Sequence, residues 1–508
     1  MKHNILKSLL LFLFVCFSNT INAYDFAVDG IYYNITDEIN LTVEVTYSGV
    51  NSSQNPNRYS GEVIIPSEVN YNNKIYNVTG IRDQAFYGCY NTTSVIIPNS
   101  IINIGSYVFC GCTKLTSFII GDNVEKINSG TFYGCSQLIN VHIGKNVTSI
   151  GTSAFQDCNS LTSIVIPSNV VSIENNVFTG CVNIKEVVFE DGESPLALGD
   201  YVYANEYYIS KYGLFYNCNK LEKLYIGRNI LYNTSNNISP FSNKNKLNSV
   251  IFGKDVTNIG ERMLYGCSAI TDVYFYSNPT IGTNAIPSTA KCQLMLDDSN
   301  ATDFNNANSN TYTNVSYTRT ISEGKYGTII LPFAPDAASL ENYVFYELIE
   351  SGEGYMRFEE VATPIANTPY IYTLREGKEN VAITGGETTI SSNIETPTIV
   401  GWRTIGSFKN QSIDTEWGYY YALSTTSNEI NRITKSLKVL PYRAYYQSAN
   451  ASKSALNIYI NGTTGIIELS LSEIDGFENE AIFDLSGRKV SEPIKGNIYI
   501  KDGKKIMF

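Results

Sequence analysis

The chain has 508 residues, with 36 Lys and Arg against 48 Asp and Glu and a formal net charge of -12. This length is enough for about two to four domains. A chain with this excess of acidic residues lacks the basic surface of nucleic-acid-binding proteins, so no nucleic-acid partner is expected. A hydrophobic content of 43% excludes a disordered chain, and the 38 Tyr residues favour β-structure.

The first 23 residues have the pattern of a secretory signal peptide. Lys2 and Lys7 form a positive start, residues 9–17 an apolar stretch, and Asn22-Ala23 a small-residue cleavage site. The apolar stretch is about half of the ~20 residues that a membrane-spanning helix needs. We therefore expect an exported protein, secreted or held at the cell surface, without a transmembrane anchor.

In the next part of the chain, the same sequence pattern repeats every 23 residues. Phenylalanines recur at this step, as do cysteines, and the two series are Phe86, Phe109, Phe132, Phe155, Phe178 and Cys89, Cys112, Cys135, Cys158, Cys181. Within one repeat, Leu115, Phe118 and Ile120 follow the leucine-rich-repeat pattern, a short strand whose first, fourth and sixth residues point inward. Such strands stack into a parallel ladder, and the ends of the stack need caps.

These patterns predict the following domain organisation. After the signal peptide, residues 24–76 form an N-terminal β cap, because residues 62–66 mimic the repeat strand at 94–98, and residues 77–290 form the solenoid. A linker at 291–317, an all-β sandwich-like domain at 318–465 and a C-terminal β module at 466–508 follow. The fold class is therefore mainly β.

One irregularity interrupts the solenoid, because Phe178 and Phe215 are 37 residues apart where the repeat needs 23. The extra residues fall near 190–212 and include Tyr201, Tyr203, Tyr207 and Tyr208. Insertions in repeat proteins emerge as loops on one face, and tyrosine offers a large contact area. The loop is therefore a candidate binding site, although it would equally well fold back and shield its own solenoid.

The repeats resemble the BspA-like leucine-rich-repeat family of surface proteins from Bacteroidetes. The resemblance rests on Ala154-Phe155 followed by Cys158, on strands that end in Ile166-Pro167, and on the start at Tyr24. The C-terminal segment, with Asp484-Leu485 and the later Asp502-Gly503 turn, is similar to modules that include sorting or surface-attachment signals. The resemblance implies an adhesin or interaction protein, with host extracellular-matrix or plasma proteins as partner types.

Catalytic and metal-binding chemistry has little support in the sequence. The chain beyond the signal peptide has a single histidine, His142, and the cysteines come one per repeat, without the close pairs of a zinc site. Free thiols packed as small buried groups explain the cysteines better than disulfides. Asp297-Asp298 lacks the alternating ligands of a calcium loop and fits a charged linker or solvated turn. We predict no enzyme activity, no metal and no cofactor.

The remaining candidate is the outward face of the solenoid strands. The fifth residue of each strand is expected to point outward and to form an apolar row beside a polar row of third residues. Tyr225 is expected near the centre of the site. The row together with the loop gives these candidate partner-binding residues: Ile119, His142, Val165, Val188, Tyr201, Tyr203, Tyr207, Tyr208, Tyr225, Ile251 and Tyr274. An exposed apolar stripe usually marks an interaction site, but β-branched residues also simply suit a strand. A protein ligand is the first hypothesis, and a glycan held by the Tyr-rich loop and the β domain is the alternative.

Overall fold

The computed structural model describes residues 24–49, 58–199, 214–233, 239–300, 309–322, 324–352, 355–391, 393–399, 401–414, 418–423, 430–433, 436–449 and 455–461, and four short strands after residue 481. The predicted signal peptide and Tyr201, Tyr203, Tyr207 and Tyr208 lie outside these residues. The regular elements of the described residues are nearly all β-strands, which confirms the predicted fold class. They form two compact units that divide near residue 297.

The first unit begins with a small mixed sheet in the order β1-β2-β3-β6-β5. Alternation along its strands buries Tyr33, Val43, Val45 and Val78 on one face. The bounds of the first six strands are β1 (Phe26–Val28), β2 (Ile31–Asp37), β3 (Thr42–Thr46), β4 (Gly61–Ile64), β5 (Glu68–Tyr71) and β6 (Lys74–Ile81).

The solenoid follows with two strands in most repeats. Their bounds are β7 (Thr92–Ile96), β8 (Asn103–Ile104), β9 (Ser117–Ile119), β10 (Lys126–Ile127), β11 (Asn140–His142), β12 (Ser149–Ile150), β13 (Ser163–Ile166), β14 (Ser172–Ile173), β15 (Glu186–Phe189), β16 (Leu196–Leu198), β17 (Lys223–Arg228), β18 (Ile230–Leu231), β19 (Ser249–Asp255), β20 (Asn258–Ile259), β21 (Asp272–Phe275), β22 (Thr280–Ile281), β23 (Lys291–Asp297) and β24 (Thr311–Tyr312).

Two parallel ladders run along the solenoid. The first is the predicted one and includes the run β13-β15-β17-β19-β21-β23. The second is made of the short strands β10-β12-β14-β16-β18, which the sequence analysis did not assign. Strand β4 pairs in parallel with β7, with Val63 opposite Val95 and Ile64 opposite Ile96. The first ladder therefore begins inside the segment predicted as the cap.

The solenoid core is a column of stacked phenylalanine rings. Phe132 is fully buried, and its ring centroid lies 5.3 Å from that of Phe109 and 5.2 Å from that of Phe155. A column of cysteines runs beside the rings, and its thiols from Cys112 onward donate to the carbonyl of a phenylalanine in the preceding repeat, as Cys158 does to Phe132 at 3.2 Å. The nine cysteines within the described residues are all free. Repeat-to-repeat contacts thus replace disulfides as the stabilising element.

The predicted linker at 291–317 differs from the structure. Lys291–Asp297 is a strand, and Val273 lies opposite Cys292 in a parallel register that continues the first ladder. Asp298 lies in a turn after this strand but is half-buried, and its carboxylate accepts two hydrogen bonds from Arg443, at 2.9 and 2.6 Å. The 23-residue pattern fades here because no phenylalanine and cysteine at the repeat spacing precede this last strand.

The second unit contains a ten-stranded sheet, in which β26 and β29 approach β33 and β38. These strands confirm the predicted all-β character of this part of the chain. The elements from residue 314 to residue 461 are β25 (Asn314–Thr318), β26 (Tyr326–Ile330), α1 (Ala337–Asn342), β27 (Tyr343–Gly352), β28 (Tyr355–Glu360), β29 (Pro369–Leu374), β30 (Ile383–Gly385), β31 (Thr388–Thr389), β32 (Thr398–Ile399), β33 (Trp402–Ser407), β34 (Gln411–Ile413), β35 (Tyr419–Leu423), β36 (Ile430–Arg432), β37 (Leu437–Val439), β38 (Arg443–Ser448) and β39 (Ala455–Asn461). Of these, β31 and the start of β25 belong to the first unit.

The C-terminal module holds a small antiparallel sheet in the order β41-β40-β42-β43. Its last two strands pair with Lys501 opposite Lys504, which leaves two residues between them, as the predicted Asp-Gly hairpin requires. The bounds are β40 (Ile482–Phe483), β41 (Lys489–Val490), β42 (Ile498–Lys501) and β43 (Lys504–Met507).

Candidate interaction surface

The first ladder presents one row of fifth-position side chains along the outside of the solenoid. Parallel in-register pairing aligns equivalent residues, and the observed pairs are His142 with Ile119, Val165 with Val188, Val188 with Tyr225, Tyr225 with Ile251, and Ile251 with Tyr274. We call this set, with Ile96 at its start, the outward row. The structure thus brings together all the predicted row residues in one unit.

The outward row is most exposed in its N-terminal half. Ile119 retains 68% of its side-chain exposure, Ile96 49% and Val165 46%. In the C-terminal half, Val188, Tyr225 and Ile251 are half-buried. Side chains directly opposite on parallel strands lie close enough to form a continuous surface. The row is therefore exposed and mainly apolar, with His142 as a polar member, at one end, partly covered from Val188 to Ile251, and exposed again at Tyr274.

Tyr225 is held in place by a contact that the sequence did not indicate. Its hydroxyl donates to Oδ1 of Asp191 at 2.7 Å. Burial, together with the Asp191 carboxylate, raises the pKa of Tyr225 above its usual range. The ring is consequently fixed against the loop that follows β15, and only part of its surface is available to a partner.

Close backbone packing supports the loop that carries Asp191. A Cβ atom added to Gly227 would lie 2.4 Å from the Asp191 backbone nitrogen, and one added to Gly253 would lie 2.3 Å from Asp191 Oδ1. Only glycine fits at these two positions. Burial, with repulsion from Asp191 and Glu193, raises the pKa of Asp255 nearby. This end of the row is acidic.

Arg228 anchors the same region from the inside and was also missed by the sequence analysis. Its side chain is fully buried, and its guanidinium donates to the carbonyl oxygens of Pro167, at 2.8 Å, and Ser168. Burial lowers the pKa of Arg228 to about 10. The side chain links the end of β17 to the loop after β13, two strands away in the ladder. An arginine at the end of a repeat strand gives no sequence signal of such burial.

The predicted Tyr-rich insertion starts later than expected. Leu196–Leu198 is a strand of the second ladder, with Leu198 opposite Ile173, so most of the extra residues lie between Leu198 and Phe215. The role of the loop tyrosines stays a prediction. Within the described ranges, no group of three or more His, Cys, Asp and Glu side chains is placed to hold a metal ion, and no helix has the length and apolar character needed to cross a membrane.

Comparison with known proteins agrees with the repeat architecture. A family model described as "BspA type Leucine rich repeat region" matches in six copies, over residues 79–210 and 204–293. No curated protein matches the chain.

Several solved structures are similar to this chain. A leucine-rich repeat protein from Bacteroides ovatus has 24% identity, covering 54% of this chain and 95% of its own, with a TM-score of 0.26. A leucine rich cell surface protein from Faecalibacterium prausnitzii has 17% identity, covering 58% and 95%, with a TM-score of 0.24. The pneumococcal vaccine antigen PcpA has 11% identity, covering 54% and 94%, with a TM-score of 0.22. The 23-residue step, the parallel ladders and the family match together establish that residues 79–293 of this chain form leucine-rich repeats of the BspA type.

Proposed function

We propose that this chain is an exported interaction protein that acts at the cell surface and binds another protein through the outward row. The observation that carries the proposal is the row of exposed side chains on the first ladder, in which the apolar Ile119 and Val165 lie on either side of His142. Contiguous apolar patches of this kind on soluble proteins mark interaction sites.

The dimensions of the row favour a macromolecular partner. Eight strands from β7 to β21 carry it, and at ~4.8 Å per strand the row is about 34 Å long. A specific protein interface buries about 800 Å² on each partner, which a face of this length provides. A small molecule would need a concave pocket, whereas this face is a sheet surface. Binding without catalysis is therefore the proposed role.

The C-terminal half of the row provides an anchor. Interface energy concentrates in buried aromatic and arginine side chains. Tyr225 is such an aromatic group, and its bond to Asp191 fixes the ring before a partner arrives, so little conformational entropy is lost on binding. Export is supported by the signal-peptide pattern of residues 1–23, and a host extracellular-matrix or plasma protein is the proposed class of partner.

Binding to a panel of immobilised extracellular-matrix and plasma proteins tests the proposal. The double variant Ile119→Asp/Val165→Asp places two charges in the exposed half of the row and should weaken binding about tenfold or more, whereas Ser117→Ala in the neighbouring polar row should change it little. Competition by free sugars would support a glycan ligand instead. Unchanged binding by the double variant, with a native melting temperature, would contradict the proposed site.

A further inference from the structure

The N-terminal end of the first ladder has an unpaired edge. Strand β4 pairs with β7, and among the described residues no second strand lies on its other side. The backbone N–H groups of Gly61 and Ile65 donate toward β7, to Asn91 and Ile96, both at 2.9 Å. Because alternate residues of a strand direct their N–H and C=O groups to opposite edges, Glu62 and Ile64 direct theirs away from β7. These groups are available to a further strand.

A groove lies beside this edge. Its volume is about 710 Å³, and it is lined by the turn between β1 and β2, by the first residues of β5 and by β4 itself, including Glu62, Val63 and Ile64. Ile64 is 60% exposed although it is a large apolar residue. A free backbone edge beside a groove with an exposed apolar side chain has the features that proteins use to recognise an extended peptide.

The charges around the groove indicate what kind of peptide it fits. Three exposed carboxylates line it, from Asp29, Glu62 and Glu68, against one cation, Arg58. Nη1 of Arg58 already donates to the carbonyl oxygens of Tyr87 and Gly88, at 2.9 and 2.8 Å, so part of its hydrogen-bonding capacity is used within the protein. The groove is acidic and complements a basic segment.

The same charges disfavour pairing between two copies of this edge. An antiparallel pair of β4 strands would bring Glu62 of each copy near that of the other, and like charges on adjacent strands are destabilising. Pro66, two residues after the strand, and the short length of β4 also limit self-pairing. We propose that the free edge of β4 binds an extended basic peptide segment of a partner protein by adding it to the first ladder as a strand.

Fluorescence anisotropy with the full-length protein tests this proposal, using a labelled Lys-Val-Lys-Val-Lys-Val peptide as the probe. We expect the probe to bind, and a Glu-Val-Glu-Val-Glu-Val peptide to bind about tenfold more weakly or not at all. N-methylation of alternate backbone nitrogens in the basic peptide should abolish binding, because it removes the donors that a ladder requires. An N-methylated peptide that binds as well as its parent would overturn the proposal.

Two variants of one residue locate the site. Ile64→Pro removes the N–H that faces the free edge, without removing a bond to β7, and should weaken binding of the basic peptide about tenfold or more. Ile64→Ala keeps the backbone and is the matched control, with a smaller effect. Equal binding by a folded Ile64→Pro variant would overturn the proposal, as would a concentration-dependent dimer that Ile64→Pro dissociates, since a second copy would then occupy the edge. If Ile64→Pro does not fold, the N-methylated peptide still decides the question.

Discussion

Arg228 shows how a single residue fixes the candidate surface from below. A fully buried guanidinium is costly unless its donors are satisfied, and here two carbonyl oxygens from the loop after β13 accept its hydrogen bonds. Its Nε atom has no partner among the described residues, so the site is not fully satisfied. The two hydrogen bonds to the carbonyl oxygens offset the cost of the unpartnered Nε atom only while both of them are present.

Truncation of Arg228 should therefore destabilise the protein. We expect Arg228→Ala to lower the free energy of unfolding by about 3 kcal/mol, because two carbonyl groups lose charged donors and a buried volume is left empty. Chemical denaturation measures this change. Lys223→Ala, on the exposed face of the same strand, is the control and should stay within about 0.5 kcal/mol of the parent protein. Equal stability of the two variants would mean that Arg228 is not an internal link.

At the scale of one repeat, the phenylalanine column should account for much of the stability. Replacing Phe132 with Ala removes a ring packed between Phe109 and Phe155 and should cost about 3 to 5 kcal/mol. Thermal denaturation tests this. Ile119→Ala in the preceding strand, whose side chain is largely exposed, should leave the melting temperature almost unchanged. A Phe132→Ala protein as stable as the parent would contradict the inward position of the ring.

The cysteine column makes a separate prediction about reactivity. Burial raises the pKa of the Cys89 and Cys110 thiols to about 11 each, and it raises those of Cys135 and Cys158 well above the usual range. Since the thiolate is the reactive form, a thiol reagent should label the native protein slowly, beginning with the half-buried Cys292. The denatured, unreduced protein should show all nine of these thiols. Two or fewer would indicate a disulfide ladder.

The repeat elements were predictable because the step of 23 repeats the same packing environment. The spacing of Leu115, Phe118 and Ile120 was enough to predict both a strand and its inward face. Residues 62–66 resemble a repeat strand because β4 pairs with β7 as one, although the sequence analysis assigned this segment to the cap. A pattern that recurs in register carries information about contacts between repeats, which a single strand does not.

Other elements could not be predicted because their contacts are not periodic. The second ladder consists of strands two or three residues long, too short to show an alternation. The helix α1 has six residues, begins with Asp336 accepting a hydrogen bond from the Ser339 nitrogen, and is likewise too short for a helical period. Arg228 and Asp191 act through tertiary contacts with loops, so composition and spacing gave no sign of either.

At the scale of the whole molecule, buried thiols and tyrosine hydroxyls dominate the change in the free energy of unfolding at alkaline pH. Burial raises the pKa of all nine described thiols, of Tyr346 to about 12, and of other buried tyrosines such as Tyr446. In the unfolded chain, thiols ionise near ~8.5 and tyrosines near ~10. Arg228 and Lys244 respond in the opposite sense, since burial lowers the pKa of each. The thiols and tyrosines with a raised pKa outnumber these two bases, so they determine the sign of the change in stability with pH.

The free energy of unfolding should therefore fall steadily once the pH exceeds about 8.5. Above that pH the unfolded chain has released protons that the folded protein still holds, and stability decreases with pH wherever the folded state binds more protons. Denaturant titrations from neutral to alkaline pH measure this slope. Tyrosinate absorbance provides a second readout, because the buried tyrosines should ionise together with the loss of β-structure rather than before it. Unfolding free energy that stays constant or rises over this range, or full tyrosine ionisation in a still-folded protein, would contradict the close-packed aromatic and thiol cores.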